Sequence, residues 1–178
     1  MNVEFDPDRP MVIVLMGVSG SGKTTIGTRL AEVLDWDFVD GDDFHPDANV
    51  AKMRRGEPLT DEDRWPWLRS IRAFIDERLA TNDPAIVACS ALKSSYRDVL
   101  LDGAENAHLV YLRGEYDLIR KRMEARADHF FDADLLDSQF ATLEEPTPEE
   151  AVIVDIDATP DEIVQSLRTQ MSDLSSPS

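Results

Sequence analysis

One segment, GVSGSGKT at residues 17–24, limits what this chain can fold into more than any other feature. It satisfies the pattern GxxxxGK[ST] and lies between an apolar run, MVIVLM, and a helical pattern. Its glycines allow backbone amides to turn inward around phosphate oxygens at a helix N-terminus. The segment therefore predicts a phosphate-binding loop between a strand and a helix.

We predict that this loop binds a nucleoside triphosphate, with Lys23 reaching the outer phosphates and Thr24 ligating Mg²⁺. The alternative is a glycine-rich turn without a ligand, which the Lys and Thr in this strand–helix context disfavour. The residues predicted to line the nucleotide are Gly17, Val18, Ser19, Gly20, Ser21, Gly22, Lys23, Thr24 and Thr25.

Short apolar runs alternate with helical patterns along the rest of the chain, which predicts βαβ units and a parallel sheet covered on both faces. The predicted strands are residues 11–16, 36–39, 85–90, 108–112 and 152–156. The predicted helices are residues 23–34, 61–80, 94–101, 115–126 and 160–171. With 178 residues, we expect one domain over 10–171 and disordered polar tails at 1–9 and 172–178.

The formal net charge of −18 argues against a nucleic-acid or anionic-membrane partner, because both need a basic surface. The run at residues 11–16 is too short to span a membrane and lacks a basic leader, so we expect a cytoplasmic protein. The single cysteine, Cys89, is interpreted as a buried strand residue. The chain has only four lysines, Lys23, Lys52, Lys93 and Lys121. Their rarity favours roles for them that arginine cannot fill.

The segment FVDGDDFHP, residues 38–46, places carboxylates directly after the second predicted strand. In a parallel α/β sheet, ligands collect at the carboxyl ends of the strands. We therefore predict that Asp40 helps to hold Mg²⁺ and that Asp42 orients an acceptor hydroxyl and takes its proton. The alternative for both is a solvated acidic turn, and that alternative is favoured for Asp43. His45 precedes Pro46 and is either a substrate contact or a residue that holds the loop.

Two other nucleotide-dependent classes are disfavoured by missing motifs. A GTPase switch needs a guanine-reading NKxD segment, and the sequence contains none. A motor or transporter ATPase carries an apolar run that ends in Asp, whereas the third predicted strand ends in IVACS, with Ser90 at that place.

These motifs, taken with NVAKMRRGEPLTDEDRWPWL (49–68), CSALKSSYRD (89–98), HFF (129–131) and SQFATLEEP (138–146), resemble gluconokinases of the small P-loop kinase type. The resemblance spans roughly residues 11–157. It implies a P-loop NTPase fold, a three-layer α/β/α arrangement with a five-stranded parallel sheet and a mobile lid. It also implies transfer of the ATP γ-phosphate to the 6-hydroxyl of D-gluconate, and relatives suggest a homodimer.

Gluconate is a carboxylate on a polyol, so its pocket needs cations at one end. The family motifs and this requirement together predict a substrate-binding set of Asp42, His45, Lys52, Arg64, Lys93, Arg97 and His129. Alternatives remain for several of them. Arg64 could form a helix-start ion pair, and Arg97 could pair with Asp98 or nearby acids. Trp67 and Tyr96 are more typical of core residues.

The resemblance places a lid over ATP at about residues 127–140, with Arg122 and Arg126 at its edge. There the two arginines would neutralise charge on the transferred phosphoryl group, so the predicted catalytic residues are Lys23, Asp42, Arg122 and Arg126. His129 would pack in the lid or hinge; the alternative is an apolar patch that closes the core. Asp128 departs from the family pattern and alters the charge expected of the lid.

Two other functions stay open from the sequence. One is another small-molecule kinase, such as a shikimate kinase, although that family's Gly-Gly-Gly segment is absent because the chain has no adjacent glycines. The other is a non-catalytic ATP-binding regulatory protein.

Overall fold

Five parallel strands run through the centre of the molecule in the order β2-β3-β1-β4-β5, as a computed structural model of residues 11–125 and 133–175 shows. Their bounds are β1 Val12–Met16, β2 Asp37–Asp40, β3 Ala85–Ala88, β4 Ala107–Arg113 and β5 Ala151–Asp155. Strand β1 is buried along its whole length because both faces of a parallel sheet are covered. It pairs with β3 on one side and β4 on the other.

Seven α-helices cover the sheet within the described residues. They are α1 Lys23–Leu34, α2 Asp47–Arg54, α3 Asp61–Ala80, α4 Ser94–Leu101, α5 Tyr116–Glu124, α6 Ala133–Thr142 and α7 Pro160–Ser175. The side chains of β1 alternate between two cores. Ile13 and Leu15 pack with residues of α1, α5 and α7, whereas Val14 and Met16 pack with α3 and α4. This confirms the predicted three-layer α/β/α fold with a five-stranded parallel sheet.

The helices also show where the sequence prediction fell short. Helix α2 and helix α6 were not predicted as helices, and α7 continues to Ser175, past the predicted boundary at residue 171. Residues 1–10, 126–132 and 176–178 lie outside the described part, and with them the N-terminal tail and the first part of the predicted lid. No helix in the described residues is long and apolar enough to cross a membrane.

The acidic turn, residues 40–43, begins at the last residue of β2. Gly41 fixes the position of this turn because it packs directly against the end of β3. A β-carbon at this position would lie 2.5 Å from the carbonyl oxygen of Ala88 and 3.3 Å from Ile71. The carbonyl of Gly41 also accepts a 2.8 Å hydrogen bond from the indole nitrogen of Trp67 in α3. The turn is therefore held between the sheet and α3, and only glycine fits there.

We expect Gly41→Ala to lower the free energy of unfolding by about 1–3 kcal/mol, because the added methyl meets backbone that cannot move aside. Chemical denaturation measures this change. Asp43→Ala, an exposed change in the same turn, is the matched control and should stay within about 0.5 kcal/mol of wild type. Equal stability of Gly41→Ala and Asp43→Ala would contradict this account of the packing.

Candidate active site

The phosphate loop, residues 17–24, joins β1 to the first turn of α1, as the sequence predicts. Gly20 and Gly22 have φ angles of 80° and 100°, which side chains other than glycine rarely adopt. The ammonium of Lys23 turns back over the loop and donates to the carbonyl oxygens of Gly17 at 2.8 Å and Val18 at 3.1 Å. Burial lowers the pKa of Lys23, and the nearby charges of Asp42 and Asp40 oppose that shift.

The acidic turn faces this loop across a cavity of about 430 Å³. Asp40 ends β2, and its Oδ1 accepts a 2.9 Å hydrogen bond from the backbone amide of Asp42. The cavity is lined by Gly20, Gly22, Lys23, Thr24, Thr25, Asp40, Asp42 and Ala88. The structure thus brings together the lysine, the threonine and the two carboxylates that the sequence singled out.

The chemistry of these donors fits Mg²⁺ bound together with a phosphate. Magnesium sites of this kind use one or two carboxylates, water and substrate oxygens instead of a cage built only from protein. Thr24 supplies a hydroxyl and Asp40 a carboxylate on the same cavity. The described residues contain no group of three or more His, Cys, Asp or Glu side chains able to hold a metal alone.

Asp42, predicted to be the proton acceptor, lines the same cavity. Loss of water on its cavity side raises the pKa of Asp42, the charge of Asp40 raises it further, and His45 and Lys23 oppose the change. Its side chain is 80% exposed, so solvent screens the effect. The direction of the shift is the one that improves a carboxylate as a base.

His45, in contrast, is enclosed. Its side chain is 4% exposed and stacks on the indole of Trp67, with ring centroids 4.2 Å apart and planes inclined by 15°. Nδ1 lies 3.2 Å from the amide nitrogen of Asn49, and Nε2 lies 3.9 Å from Oδ1 of Asp42. The contacts of His45 in the structure are therefore with Trp67, Asn49 and Asp42. A contact of His45 with substrate stays a prediction.

A cationic cluster forms where the N-terminus of α3 meets the N-terminus of α4. Lys93 Nζ lies 3.4 Å from the carboxylate of Asp61, and Arg64 Nη1 lies 3.6 Å from the same group. The hydroxyl of Tyr96 donates to Asp61 and accepts from Arg64. These bonds, that from Tyr96 foremost, lower the pKa of Asp61. Lys93 and Arg64 therefore lie together, as the substrate prediction requires, and share one carboxylate.

Lys52 forms an ion pair with a residue that caps the N-terminus of α3. Its ammonium donates to Oδ2 of Asp63 at 2.7 Å, and Asp63 also forms a capping box with Thr60 at the start of α3. The Lys52 hydrogen bond, followed by the backbone amide of Thr60, lowers the pKa of Asp63 to about 2. This bond ties α2 to α3, and a contact of Lys52 with substrate stays a prediction.

Arg97 is buried, with 6% of its surface exposed. Its Nη1 donates to the carbonyl oxygens of Ala91 at 2.9 Å and Leu92 at 3.2 Å. These bonds hold the segment between β3 and α4 that delivers Lys93. The hydrogen bonds of Arg97 are thus to backbone carbonyls. Burial lowers the pKa of Arg97, and the charges of Glu150, Glu144 and Asp98 oppose that shift, so the acids of the alternative lie near it. Its direct contact with substrate remains a prediction.

Arg122 in α5 lines a second cavity, of about 400 Å³, on another side of the phosphate loop. This cavity is bounded by loop residues and by apolar residues that include Ile26, Pro160 and Ile163. The Nη2 of Arg122 donates to the carbonyl of Ile156 at 2.8 Å. A role for Arg122 in neutralising the transferred phosphoryl group remains a prediction. Arg126 and His129, the other predicted residues of this region, lie outside the described residues.

One contact to the phosphate loop was not assigned from the sequence. The amide group of Gln139, in α6, accepts from the backbone nitrogen of Ser19 at 2.6 Å and donates to its hydroxyl at 2.9 Å. The two residues are 120 positions apart. The SQFATLEEP segment was the available signal, but a motif does not reveal which loop its glutamine reaches.

The fold and this site define the class of protein, a P-loop kinase acting on a small molecule. A family model described as an AAA domain matches residues 12–146. Shikimate kinase from Aquifex aeolicus has the same fold, with a TM-score of 0.55 at 16% identity over 92% of this chain and 97% of that one. At that identity, the likeness concerns the fold alone.

Within that class, the chain belongs to the gluconokinase family. It is 45% identical to the thermoresistant gluconokinase of Escherichia coli over 87% of this chain and 90% of that protein. It is 43% identical to a gluconokinase of Gluconobacter oxydans over 89% of this chain and 90% of that one. The crystal structure of a Sinorhizobium meliloti gluconokinase matches with a TM-score of 0.82 at 44% identity, covering 93% and 94% of the two chains. The resemblance noted in the sequence is thereby confirmed.

The bond between Lys52 and Asp63 makes a pH-dependent contribution to stability. Because the folded pKa of Asp63 lies below its ordinary value of 3.8, the contribution is present above about pH 4 and is lost as the pH falls towards about 2. We expect Asp63→Asn to be less stable than wild type at pH 7, with a difference that narrows over this range. Chemical denaturation at several pH values measures it.

Lys52→Met provides the matched comparison, because it removes the partner and leaves the capping box. It should reproduce part of the loss at pH 7. A stability difference for Asp63→Asn that is constant from pH 7 to pH 3 would contradict the assignment.

Proposed function

We propose that this protein transfers the γ-phosphate of ATP to the 6-hydroxyl of D-gluconate, giving 6-phosphogluconate and ADP. The observation that carries the proposal is the single cavity that joins Lys23 and Thr24 of the phosphate loop to Asp40 and Asp42. Membership of the gluconokinase family supports gluconate as the acceptor.

The nucleotide side of the site is assigned to the phosphate loop. Its backbone amides and Lys23 bind the phosphates, and the second cavity, with its apolar wall beside the loop, suits a nucleoside base. Thr24 and Asp40 would hold Mg²⁺, which supplies neutralising charge to the phosphates when bound. Arg122 borders the second cavity and is proposed, with Arg126, to neutralise charge on the transferred phosphoryl group.

In the proposed transfer, the acceptor hydroxyl oxygen forms a bond to the γ-phosphorus while the bond from that phosphorus to the β,γ-bridging oxygen breaks. The hydroxyl proton passes to the carboxylate of Asp42. Because such transition states are loose, orientation of the hydroxyl matters more than the strength of the base. Asp42 is suited to both tasks by its place at the cavity mouth.

The acceptor's carboxylate is assigned to Lys93 and Arg64, the two cations that converge on Asp61. Cationic side chains with several donors recognise carboxylates in this way. Lys52, His45, Arg97 and His129 complete the proposed substrate set. For Lys52 and Arg97, the described contacts support action through the positions of α2, α3 and the segment before α4.

We further infer a role in sugar-acid metabolism that feeds the pentose phosphate route, a cytoplasmic location and a homodimer. The homodimer rests on analogy with relatives. The net charge of −18 supports the absence of a nucleic-acid or anionic-membrane partner.

The proposal is tested by following ADP release from the full chain with ATP and Mg²⁺, with gluconate, shikimate or no acceptor supplied in parallel. We expect turnover with gluconate alone and direct detection of 6-phosphogluconate. Turnover with shikimate would favour the alternative that the protein is a shikimate kinase. ATP binding without turnover on any acceptor would favour the regulatory protein.

The assignment of Lys93 gives a second prediction. Loss of a charged hydrogen bond to the acceptor costs about 1.5–3 kcal/mol, so Lys93→Met should raise KM for gluconate by roughly 10-fold to 100-fold. Steady-state kinetics should show little change in KM for ATP. Lys121→Met, which removes an exposed lysine of α5, is the matched control. Equal KM values for gluconate in the two variants would contradict the assignment.

A further inference from the structure

Three side chains form a chain of polar contacts that starts in the protein interior and ends at the cavity. Asn49 in α2 is buried, with 3% of its surface exposed. His45 follows, with its ring held against Trp67. Asp42 is the last member and the only one of the three open to solvent. The interior end of the chain is therefore rigid, while the outer end faces the reaction.

The orientation of the Asn49 amide is fixed by chemistry. Its side-chain nitrogen lies 2.8 Å from the backbone carbonyl oxygen of Asp63. A carbonyl oxygen only accepts hydrogen bonds, so the atom facing it must be the NH₂ group. The same nitrogen lies 3.2 Å from Nδ1 of His45. The amide has two hydrogens, so its second one goes to Nδ1, which must carry a lone pair.

The tautomer of His45 follows from that contact. If Nδ1 accepts, the imidazole is neutral and Nε2 carries the hydrogen. Burial lowers the pKa of His45, which agrees with a neutral ring; Arg64 of α3 lowers it further, and Asp42 opposes both. The nitrogen that carries the hydrogen, Nε2, lies 3.9 Å from Oδ1 of Asp42.

We propose that Asn49 and His45 are positioning residues, in which Asn49 selects the tautomer and His45 Nε2–H engages one oxygen of Asp42 so that the other faces the acceptor hydroxyl. This inference rests on the proposed role of Asp42 as proton acceptor. The 3.9 Å separation is longer than a hydrogen bond, and such catalytic contacts tighten when substrate binds.

The other charges around Asp42 do not supply this orientation. Asp40 and Asp43, on the same turn, repel it, and Lys23 of α1 attracts it without the directional N–H of a fixed imidazole. Trp67 completes the support, because its indole stacks on His45 and donates to the carbonyl of Gly41. The turn and the imidazole are thus fixed by the same residue of α3.

The first test reads the tautomer directly. Long-range ¹H–¹⁵N NMR of the full chain distinguishes the two neutral imidazole forms and the imidazolium, and the His45→Gln variant assigns the His45 signals. We expect the Nε2–H form at neutral pH. A protonated Nδ1, in either the other neutral form or the imidazolium, would overturn the proposal.

The second test compares His45→Gln with His45→Asn. Glutamine places its NH₂ near the position of Nε2, whereas asparagine places it near that of Nδ1, and neither side chain has an aromatic ring to stack on Trp67. Because a hydrogen bond to a charged group is worth about 10-fold or more, we expect kcat of His45→Asn to be lower than that of His45→Gln by about 10-fold or more. KM for ATP should be the same in both.

Equal kcat values in the two His45 variants would overturn the positioning role. Asp42→Asn, assayed in parallel, separates this failure from that of the proposed mechanism. We expect it to lose kcat by about 100-fold or more. Full activity of Asp42→Asn would remove the proton-acceptor role itself, and with it the purpose of the His45 contact, while phosphorylation of gluconate would still stand.

Discussion

The packing of Gly41 against the end of β3 is the constraint on which the rest of the site depends. It sets the distance between the acidic turn and the phosphate loop, because both follow strands of one sheet. Trp67 then links that turn to α3, and α3 carries Arg64 and the carboxylates of Asp61 and Asp63. A single close approach of backbone to backbone therefore fixes where the acidic turn lies relative to the phosphate loop and to α3.

Electrostatic pairing within the site follows from the acidic character of the chain. Three of the four lysines lie in the site region, and the structure gives each an oxygen partner: loop carbonyls for Lys23, Asp63 for Lys52 and Asp61 for Lys93. At physiological salt, exposed charges that lie more than about 8 Å apart are largely screened from one another. Local pairing, more than the net charge of −18, therefore determines the field that an incoming anion meets.

Much of the fold was predictable because it rests on local signals. The phosphate loop, the apolar strands and the cap of α7, where Thr159 accepts from the amide of Glu162, all lie within a few residues of their causes. Helix α2 was missed because the apolar residues of DANVAKMR do not mark a buried face: Met53 is exposed, and only Asn49 of this helix is buried. Its stability comes from contacts with α3 that a local pattern does not encode.

The site was predictable in part for the same reason. Asp40 and Asp42 could be placed from the end of a strand, but their final surroundings join distant segments. Gln139 reaches Ser19 across 120 positions, and Lys52 finds Asp63 only after α2 and α3 have packed. Burial of Arg97 likewise depends on tertiary packing, so a basic residue in a family motif carried no sign that its guanidinium would bind backbone carbonyls.

The carboxylate of Asp61 has a consequence for selectivity. It already occupies the space between Lys93 and Arg64, so an acidic acceptor that binds there exchanges one carboxylate for another instead of filling an empty cationic pocket. The gain in binding free energy from the ligand's charge is then reduced in part by the loss of the exposed pairing with Asp61. Discrimination among acids of similar charge must come from the hydroxyl groups along the chain of the ligand. The acid group then limits how far the ligand extends from the two cations, and the hydroxyl groups distinguish one acid from another.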